Sequence, residues 1–256
     1  MSGFQLALHQ FRFDQKVFWR NPATVFFTVM FPVMFLVLLG VIVNGQTIHA
    51  QGGIDATTYF VPAVITLALV SATMVNLAMS LTILREGGIL KRLRGTPLPS
   101  WVFIAGRIGN ALITSLLMFV LVTVLGRALF GVPVPWSQLP ELIAALVVGS
   151  ASFCALGVAL ASFIPSREAA PAITNLVVFP LYFLSGVFIP ESEIPNGVLG
   201  IADLFPIRHL FDALLAGFDP STASGGFQAG DLAVVAAWGV LGLAVALRRF
   251  RWEPRT

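Results

Sequence analysis

Acidic side chains and histidines, which could act as acids, bases or metal ligands, are scarce in this chain, and they avoid the middle of its long apolar runs. The histidines His9, His49 and His209 fall between those runs, and Cys154 is the only cysteine. The sequence contains no His-Glu-x-x-His zinc motif and no Gly-Lys dipeptide of a phosphate-binding loop. Buried acids or histidines, the usual devices of ion-coupled transport, are also missing from the runs. We therefore predict that the chain is not an enzyme, that it holds no metal or cofactor, and that energy for any work enters from a partner.

Uncharged polar residues are the ones that the apolar runs do contain. Hydrogen bonding between helices is one explanation for them. The other is that they line a path for an amphipathic substrate, because polar groups within a membrane tend to face an interior or a cavity. Two aromatic residues could line the same path. The candidate translocation-path residues are Thr73, Asn76, Asn110, Asn175, Phe179 and Phe183.

The apolar runs themselves determine the fold class. The chain has 256 residues, of which 57% are hydrophobic and 11% charged, and its mean hydropathy is +0.90. About twenty apolar residues in a helix cross the roughly 30 Å hydrocarbon layer of a membrane. We predict an all-α membrane protein, a single transmembrane domain over residues 1–256, with six transmembrane helices at about 24–43, 60–84, 101–130, 142–164, 169–189 and 232–247.

Two further segments carry apolar residues in patterns that differ from those of a span. Residues 4–20 place phenylalanines and Leu8 on one helical face and a basic stripe on another, which is typical of a helix on the membrane surface. A signal peptide is the less favoured alternative, because the apolar run that follows is longer than a signal core. Residues 190–230 contain many apolar residues on both sides of Pro206. We expect a re-entrant outer hairpin there, and a helix that rests at the interface is the alternative.

The basic residues predict the orientation. With the amino terminus inside, all of the 15 lysine and arginine residues except Arg127 and Arg208 fall on the inner side. Such an excess of positive charge marks cytoplasmic segments. We therefore expect a multi-pass protein of the cell membrane with both termini in the cytoplasm.

The densest group of charges lies between the second and third predicted spans, at residues 85–99. Ile89, Leu90 and Leu93 share one side of a helical turn, Gly87-Gly88 precedes them, and Gly95 ends the turn. This pattern indicates a short amphipathic helix in a cytoplasmic loop. The loop could receive mechanical input from a motor, could only set the topology, or could bind anionic lipid.

The same stretch, Arg85-Glu86-Gly87-Gly88-Ile89-Leu90-Lys91-Arg92-Leu93-Arg94-Gly95-Thr96-Pro97, resembles the coupling segment of type-2 ABC exporter permeases. The stretch from Leu184 to Pro190, with Pro195 and Phe205-Pro206 after it, is similar to the outer signature of that family. The resemblance extends over the whole chain. It implies a bacterial inner-membrane permease that pairs with a second permease copy, in a homodimer or heterodimer, and with two ABC ATP-binding subunits. ATP and Mg²⁺ would be bound by those partner subunits.

The resemblance also implies roles for individual residues. The ATPase-coupling residues would be Arg85, Glu86, Gly88, Leu90, Arg92, Leu93, Thr96 and Pro97, and the outer gate would contain Gly186, Phe188, Pro190 and Pro195. Members of this family export antibiotics and other hydrophobic drugs, lipid-linked glycans or oligosaccharides. A compact chain suits a hydrophobic or amphipathic substrate such as a drug, an antibiotic or a lipid-like molecule. The alternative is a membrane scaffold without transport activity, which would recruit a cytoplasmic protein or acidic lipid through the basic loop.

Overall fold

The computed structural model describes residues 3–43, 45–48, 54–95, 100–189, 200–219 and 227–253. These residues are mostly helical. We number the helices α1 (Gly3–Trp19), α2 (Pro22–Val25, a π-helical turn Phe26–Met30, then Phe31–Val43), α3 (Ala56–Val70, a π-helical turn Ser71–Val75, then Asn76–Glu86), α4 (Ile89–Arg94), α5 (Ser100–Phe130), α6 (Leu139–Ala161), α7 (Ala169–Leu184), α8 (Pro206–Phe218) and α9 (Ala229–Arg249).

Four helices among the described residues are long and apolar enough to cross a membrane, and they belong to α3, α5, α6 and α9. Two shorter apolar helices, Thr28–Val43 and Ala169–Leu184, occupy the first and fifth predicted spans. The prediction of a helical membrane protein is therefore confirmed. Helix limits differ from the predicted ones in two useful places: α3 continues through Glu86, and α9 has 21 residues. The additional turn of α3 carries Arg85 out of the predicted loop and into the helix.

The centre of the bundle is α3. Every residue from Ala56 to Val70 is buried, because this segment is apolar on nearly all of its sides. Helices α2, α5, α6 and α8 pack around it. Asp55 starts the helix, since its carboxylate accepts hydrogen bonds from the main-chain N–H and the hydroxyl of Thr57 at 2.8 and 2.7 Å. Just before this cap, Thr47–Ile48 and Ile54–Asp55 form a short antiparallel pair.

Small residues allow α6 and α9 to lie very close together. A Cβ atom added to Gly239 would lie 2.5 Å from Ser152 Oγ, and one added to Gly242 would lie 2.9 Å from the main-chain nitrogen of Leu156. Glycine and serine at such an interface let helix backbones approach each other, and van der Waals packing then holds them. This geometry gives Ser152 of α6 a role in close helix packing.

The segment before the last helix is represented by α8. Its apolar side, which includes Ile207, Leu210, Phe211 and Leu214, is fully buried against α3, α6 and α9. The predicted re-entrant hairpin would need residues 190–199 and 220–226 as well, and these lie outside the described residues.

Candidate functional site

The predicted amphipathic helix of the coupling segment is present as α4. Gly88 precedes it with φ +69°, a left-handed conformation that glycine adopts at little cost, so the chain can turn sharply out of α3. Leu90 is completely buried in a cluster that includes Leu81 and Phe103, and Leu93 packs against that cluster. Helix α4 is therefore seated on the ends of α3 and α5 by its leucines.

Arg85 connects this segment to residues at and just after the end of α6. Its side chain is only 1% exposed, and its guanidinium donates hydrogen bonds to the carbonyl oxygens of Ala161 (2.8 Å) and Ile164 (2.5 Å) at the end of α6. Its Nε donates to the carboxylate of Glu86 at 2.7 Å. Arg85 was expected at the surface that meets a partner, whereas the structure gives it an internal, positioning role.

The outward side of α4 carries the other candidates for contact with a partner. Arg92 is exposed, as is Ile89, whose side chain keeps 43% of its surface accessible. Ile89 was predicted to share one side of the helix with Leu90 and Leu93, and it was not among the predicted coupling residues. That prediction is wrong for Ile89, which is exposed while Leu90 is buried, because adjacent residues of a helix point in different directions. The predicted coupling residues Thr96 and Pro97 lie outside the described residues.

Two of the predicted path residues, Asn76 and Asn110, line one polar pocket. This pocket lies between α1, α3 and α5 and has a cavity volume of about 100 Å³. Arg107 and Asp14 share it, with 3.8 Å between Arg107 Nη2 and Asp14 Oδ1, and Arg107 Nη1 donates a hydrogen bond to Ser80 Oγ at 3.1 Å. The pocket therefore combines one cation, one anion and several amide and hydroxyl groups within a mostly apolar bundle.

The charged pair of this pocket was not predicted. Arg107 lies near one end of the third predicted span, where a long side chain could extend to the lipid headgroups. It turns inward instead, and its guanidinium stacks over the ring of Phe103 at 5.1 Å. A signal did exist in the sequence, because Asp14 lies three residues after Phe11 and four before Phe18, on the apolar face of α1. An acid in that position indicates a buried cationic partner on the helix that α1 contacts, which is α5.

The remaining predicted path residues lie elsewhere. Thr73 is buried and donates a hydrogen bond within its own helix to the carbonyl of Leu69 at 2.7 Å. Asn175, Phe179 and Phe183 are spaced four residues apart on α7, and all three are exposed, the two rings by 50% and 53%. They form an outward-facing polar and aromatic stripe on α7, separate from the pocket.

The outer motif is tied to the start of α3. Gly186 has φ +82°, and its carbonyl accepts a hydrogen bond of 2.7 Å from the hydroxyl of the buried Tyr59. Phe188 packs edge to face against Phe35 of α2, with 5.2 Å between the ring centres, and also contacts the ring of Phe183. Tyr59 was missed by sequence reasoning, because its partner is 127 residues away. The predicted gate residues Pro190 and Pro195 lie outside the described residues.

A group of charged residues joins α8 to α9 beside this motif. His209 Nδ1 lies 2.6 Å from a carboxylate oxygen of Asp231, and Nε2 lies 2.7 Å from the carbonyl oxygen of Asp203. Burial acts to lower the pKa of His209, but the hydrogen bonds to Asp231 and Asp203 outweigh it, and the pKa is raised above its ordinary value. A protonated ring, with two N–H donors, satisfies both acceptors.

Comparisons with known proteins agree with this architecture. The family model described as ABC-2 type transporter matches residues 9–218. The inner membrane transport permease YadH of Escherichia coli K12 is 25% identical over 217 residues, which are 84% of this chain and 81% of that protein. The probable multidrug ABC transporter permease YbhR of the same organism is 24% identical over 159 residues, which are 62% of this chain and 43% of that protein.

Proposed function

Since the chain belongs to the ABC-2 type transporter family, we propose that it is the permease subunit of an ATP-driven exporter. It moves a hydrophobic or amphipathic substrate, such as a drug, an antibiotic or a lipid-like molecule, out across the bacterial inner membrane. ATP and Mg²⁺ are bound by two copies of a separate ATP-binding subunit. The name of one relative, a transport permease, supports a transport function, and the name of the other, a probable multidrug permease, supports this substrate class.

The observation that carries the proposal is the construction of α4. Its leucines fix it to the bundle, and its other side presents Ile89 and Arg92 outward. A motor domain that binds this side pushes on α3 and α5 directly through Leu90, and on α6 through Arg85. A helix that served only to place positive charge on the cytoplasmic side would not need leucines packed into the bundle.

The complete transporter contains two permease copies. The stripe formed by Asn175, Phe179 and Phe183 leaves an apolar helix uncovered in one chain, and a second copy, identical or related, covers it and forms the translocation path with it. In this arrangement the six predicted spans cross the membrane, α1 lies on its inner surface, both termini are cytoplasmic, and residues 190–230 form the outer hairpin.

Coupling of ATP binding to transport requires that the motor subunits bind two permease conformations with different affinities. The ATP-bound motors must bind one conformation of the permease more tightly than the other, since a ligand shifts an equilibrium only by its differential affinity. Their closure then changes the position of α4, and the change reaches the outer end of α3, where Tyr59 holds Gly186. The scaffold alternative is not favoured, because it gives no role to this connection and the family is one of transport permeases.

The test uses the whole complex. The tagged chain is extracted gently from its native membrane, an ATP-binding protein is sought among the proteins that co-purify, and ATPase activity is measured in lipid nanodiscs. We expect Ile89→Asp to abolish the permease-dependent part of the ATPase activity. Ile201→Asp is the matched control, because Ile201 is also an exposed isoleucine but precedes α8. If no ATP-binding protein co-purifies, or if Ile89→Asp leaves coupling intact, the proposal is wrong.

A further inference from the structure

A large apolar groove lies between α5, α6 and α9. Its cavity volume is about 630 Å³, which falls within the roughly 300–1,000 Å³ of ligand pockets in proteins. All of its lining residues are uncharged, and Val240, Leu243 and Leu247 on its α9 wall are more than half exposed. An exposed apolar surface of this size marks a contact with a partner or with lipid. In the proposed dimer the second copy covers α7, a different helix, which leaves the groove to another occupant.

The groove has the length of one membrane leaflet. Its α9 wall extends from Ala236 to Leu247. At helical rise this segment is roughly 17 Å long, and half of a roughly 30 Å hydrocarbon layer is about 15 Å. An acyl chain of a single leaflet therefore matches the groove in length as well as in polarity.

The groove lies in the half of the bundle that carries α4. Ile104, near the start of α5, lines it, and so do Phe250 and Trp252, which follow α9. Phe250 and Trp252 also pack against the cluster that contains Leu90 of α4. The proposed orientation places α4 in the cytoplasm, so the groove belongs to the inner leaflet.

A cluster of arginines adjoins the cytoplasmic end of the groove. Residues 248–256 contain four arginines and one glutamate. Arg251 stands between the lining residues Phe250 and Trp252 in the chain, and it is exposed, as is Arg248. Tryptophan is enriched at the level of the lipid headgroups. With Trp252 at that level, the arginines beside it lie at the depth of the lipid phosphates.

We propose that this groove binds one anionic phospholipid of the inner leaflet. An acyl chain fills the groove, and the phosphate diester accepts hydrogen bonds from Arg248 and Arg251. Guanidinium groups bind phosphate oxygens through parallel N–H donors. A zwitterionic headgroup is bound less well, because it brings its own cation toward the arginines.

The bound lipid has a structural role that differs from that of an exported substrate. It fills the space between α5, α6 and α9, and it contacts Phe250 and Trp252, which pack on the cluster that seats α4. This inference goes beyond the proposed transport, because it concerns a lipid that stays bound to the permease. Only the assignment to the inner leaflet rests on the proposed orientation.

The experiment measures lipid retention by the purified protein with native mass spectrometry. Partly delipidated protein receives equal amounts of phosphatidylglycerol and phosphatidylcholine with identical acyl chains. We expect phosphatidylglycerol to be retained roughly tenfold better, because two arginines near the membrane surface attract its net negative charge. This comparison needs no mutation, so it tests the site even where a variant does not fold. Equal retention of the two lipids would overturn the proposal.

One pair of variants locates the headgroup. Arg248→Gln combined with Arg251→Gln should reduce the retention of phosphatidylglycerol to that of phosphatidylcholine. Arg249 is left in place, because its guanidinium lies over the ring of Phe163 at 5.5 Å. The control is Arg12→Gln combined with Arg20→Gln, which removes the same charge from two exposed arginines of α1 and should keep the tenfold preference. An equal loss in both double variants would show a diffuse attraction by net charge and would overturn the proposal.

A second pair of variants locates the acyl chain. Ala151→Phe places a ring in the groove from an exposed position of α6, and it should lower the retention of phosphatidylglycerol several-fold. Ala237→Phe is the control, since Ala237 is an exposed alanine of α9 that does not line the groove. Full retention by Ala151→Phe would overturn the proposal, as would the loss of a co-purified membrane polypeptide in place of the lipid. Because no ATP-binding subunit is needed, failure here is separate from failure of the exporter function.

Discussion

Arg85 donates a hydrogen bond of 2.8 Å to the carbonyl oxygen of Ala161, a residue 76 positions later in the chain. The bond joins the end of α3, immediately before α4, to the end of α6. The same guanidinium reaches Ile164 in the turn that leads to α7. A single buried side chain therefore links the segment before α4 to the end of α6 and to the turn that leads to α7.

Replacement of Arg85 should lower the stability of the protein and also uncouple ATP hydrolysis from transport. In Arg85→Met two buried carbonyl groups lose their donor, for an expected loss of about 3 kcal/mol in the free energy of unfolding. The measurement is unfolding in nanodiscs together with ATPase activity of the complex. Arg92→Met is the matched control, since Arg92 is exposed on α4; it should lower ATPase coupling and leave stability within about 0.5 kcal/mol of the original. Equal stability of the two variants would contradict the internal role of Arg85.

The hydrogen bond between Tyr59 and Gly186 predicts that its removal lowers stability and impairs substrate efflux. Tyr59→Phe keeps the ring packing and removes only the hydroxyl that donates to the Gly186 carbonyl, so we expect a loss of about 1 kcal/mol in stability. Transport should change more than ATP-dependent closure of the motors, because the change lies at the end of α3 remote from α4. The check is substrate efflux from vesicles measured beside ATPase activity. A variant with unchanged efflux would show that the outer motif does not depend on this bond.

Close packing of α6 and α9 predicts sensitivity to a single methyl group. Gly239→Ala places a Cβ atom against Ser152 and should destabilise the protein by about 1–3 kcal/mol. Gly230→Ala on the same helix has no atom within 4 Å of the new Cβ, so it should be neutral or stabilising by up to about 1 kcal/mol. Thermal unfolding of both variants in the same detergent distinguishes packing from helix propensity, and equal effects would rule out the tight interface.

The raised pKa of His209 predicts a pH dependence of stability. A histidine whose folded-state pKa exceeds its ordinary value of 6.5 stabilises the fold fully below that pH, and the contribution is lost as the pH rises through the folded-state pKa. Other charged groups described near His209 are Asp203 and Asp212, which lie 2.7 and 3.7 Å from Nε of Arg208. Between about pH 6 and about pH 9 the melting temperature should fall in the original protein.

Removal of the histidine's carboxylate partner is the control for that dependence. Asp231→Asn removes the charge that faces Nδ1 of His209, so the melting temperature should then change less over the same pH range. Measurement of both proteins in one buffer series separates this contact from other titrating groups. An identical pH profile for the two proteins would exclude His209 as the source.

Local patterns in the sequence were sufficient for the features that depend on neighbours along the chain. The Gly88 turn, the alternation of Leu90 and Leu93 with basic residues, and the long apolar runs correctly predict α4 and the helical membrane fold. The family resemblance is confirmed by the match over residues 9–218. The separation of the predicted path residues into a pocket and an outward stripe on α7 required the three-dimensional structure.

The direction in which individual side chains point could not be predicted from the sequence. Arg85 and Arg107 are both charged residues near span ends, where solvent or headgroups are the ordinary expectation. Each turns inward because a distant segment offers acceptors, the end of α6 for one and Asp14 on α1 for the other. Tyr59 likewise is an ordinary aromatic residue until its partner at Gly186 is known. Such pairings depend on helix packing, and of the three only that of Asp14, an acid on the apolar face of α1, has a signal in the local sequence.

The burial of the first half of α3, Ala56–Val70, on all sides has a consequence for biosynthesis. Of the helices that surround it, only α2 precedes it in the chain, while α5, α6 and α8 are synthesised later. During translation α3 must therefore remain in lipid or in the insertion machinery until the later helices are made. In that period Arg85 lacks the carbonyl oxygens that accept its hydrogen bonds in the folded protein. Completion of the core is a late event, and a ribosome that stops before α8 leaves the central helix exposed to quality-control proteases.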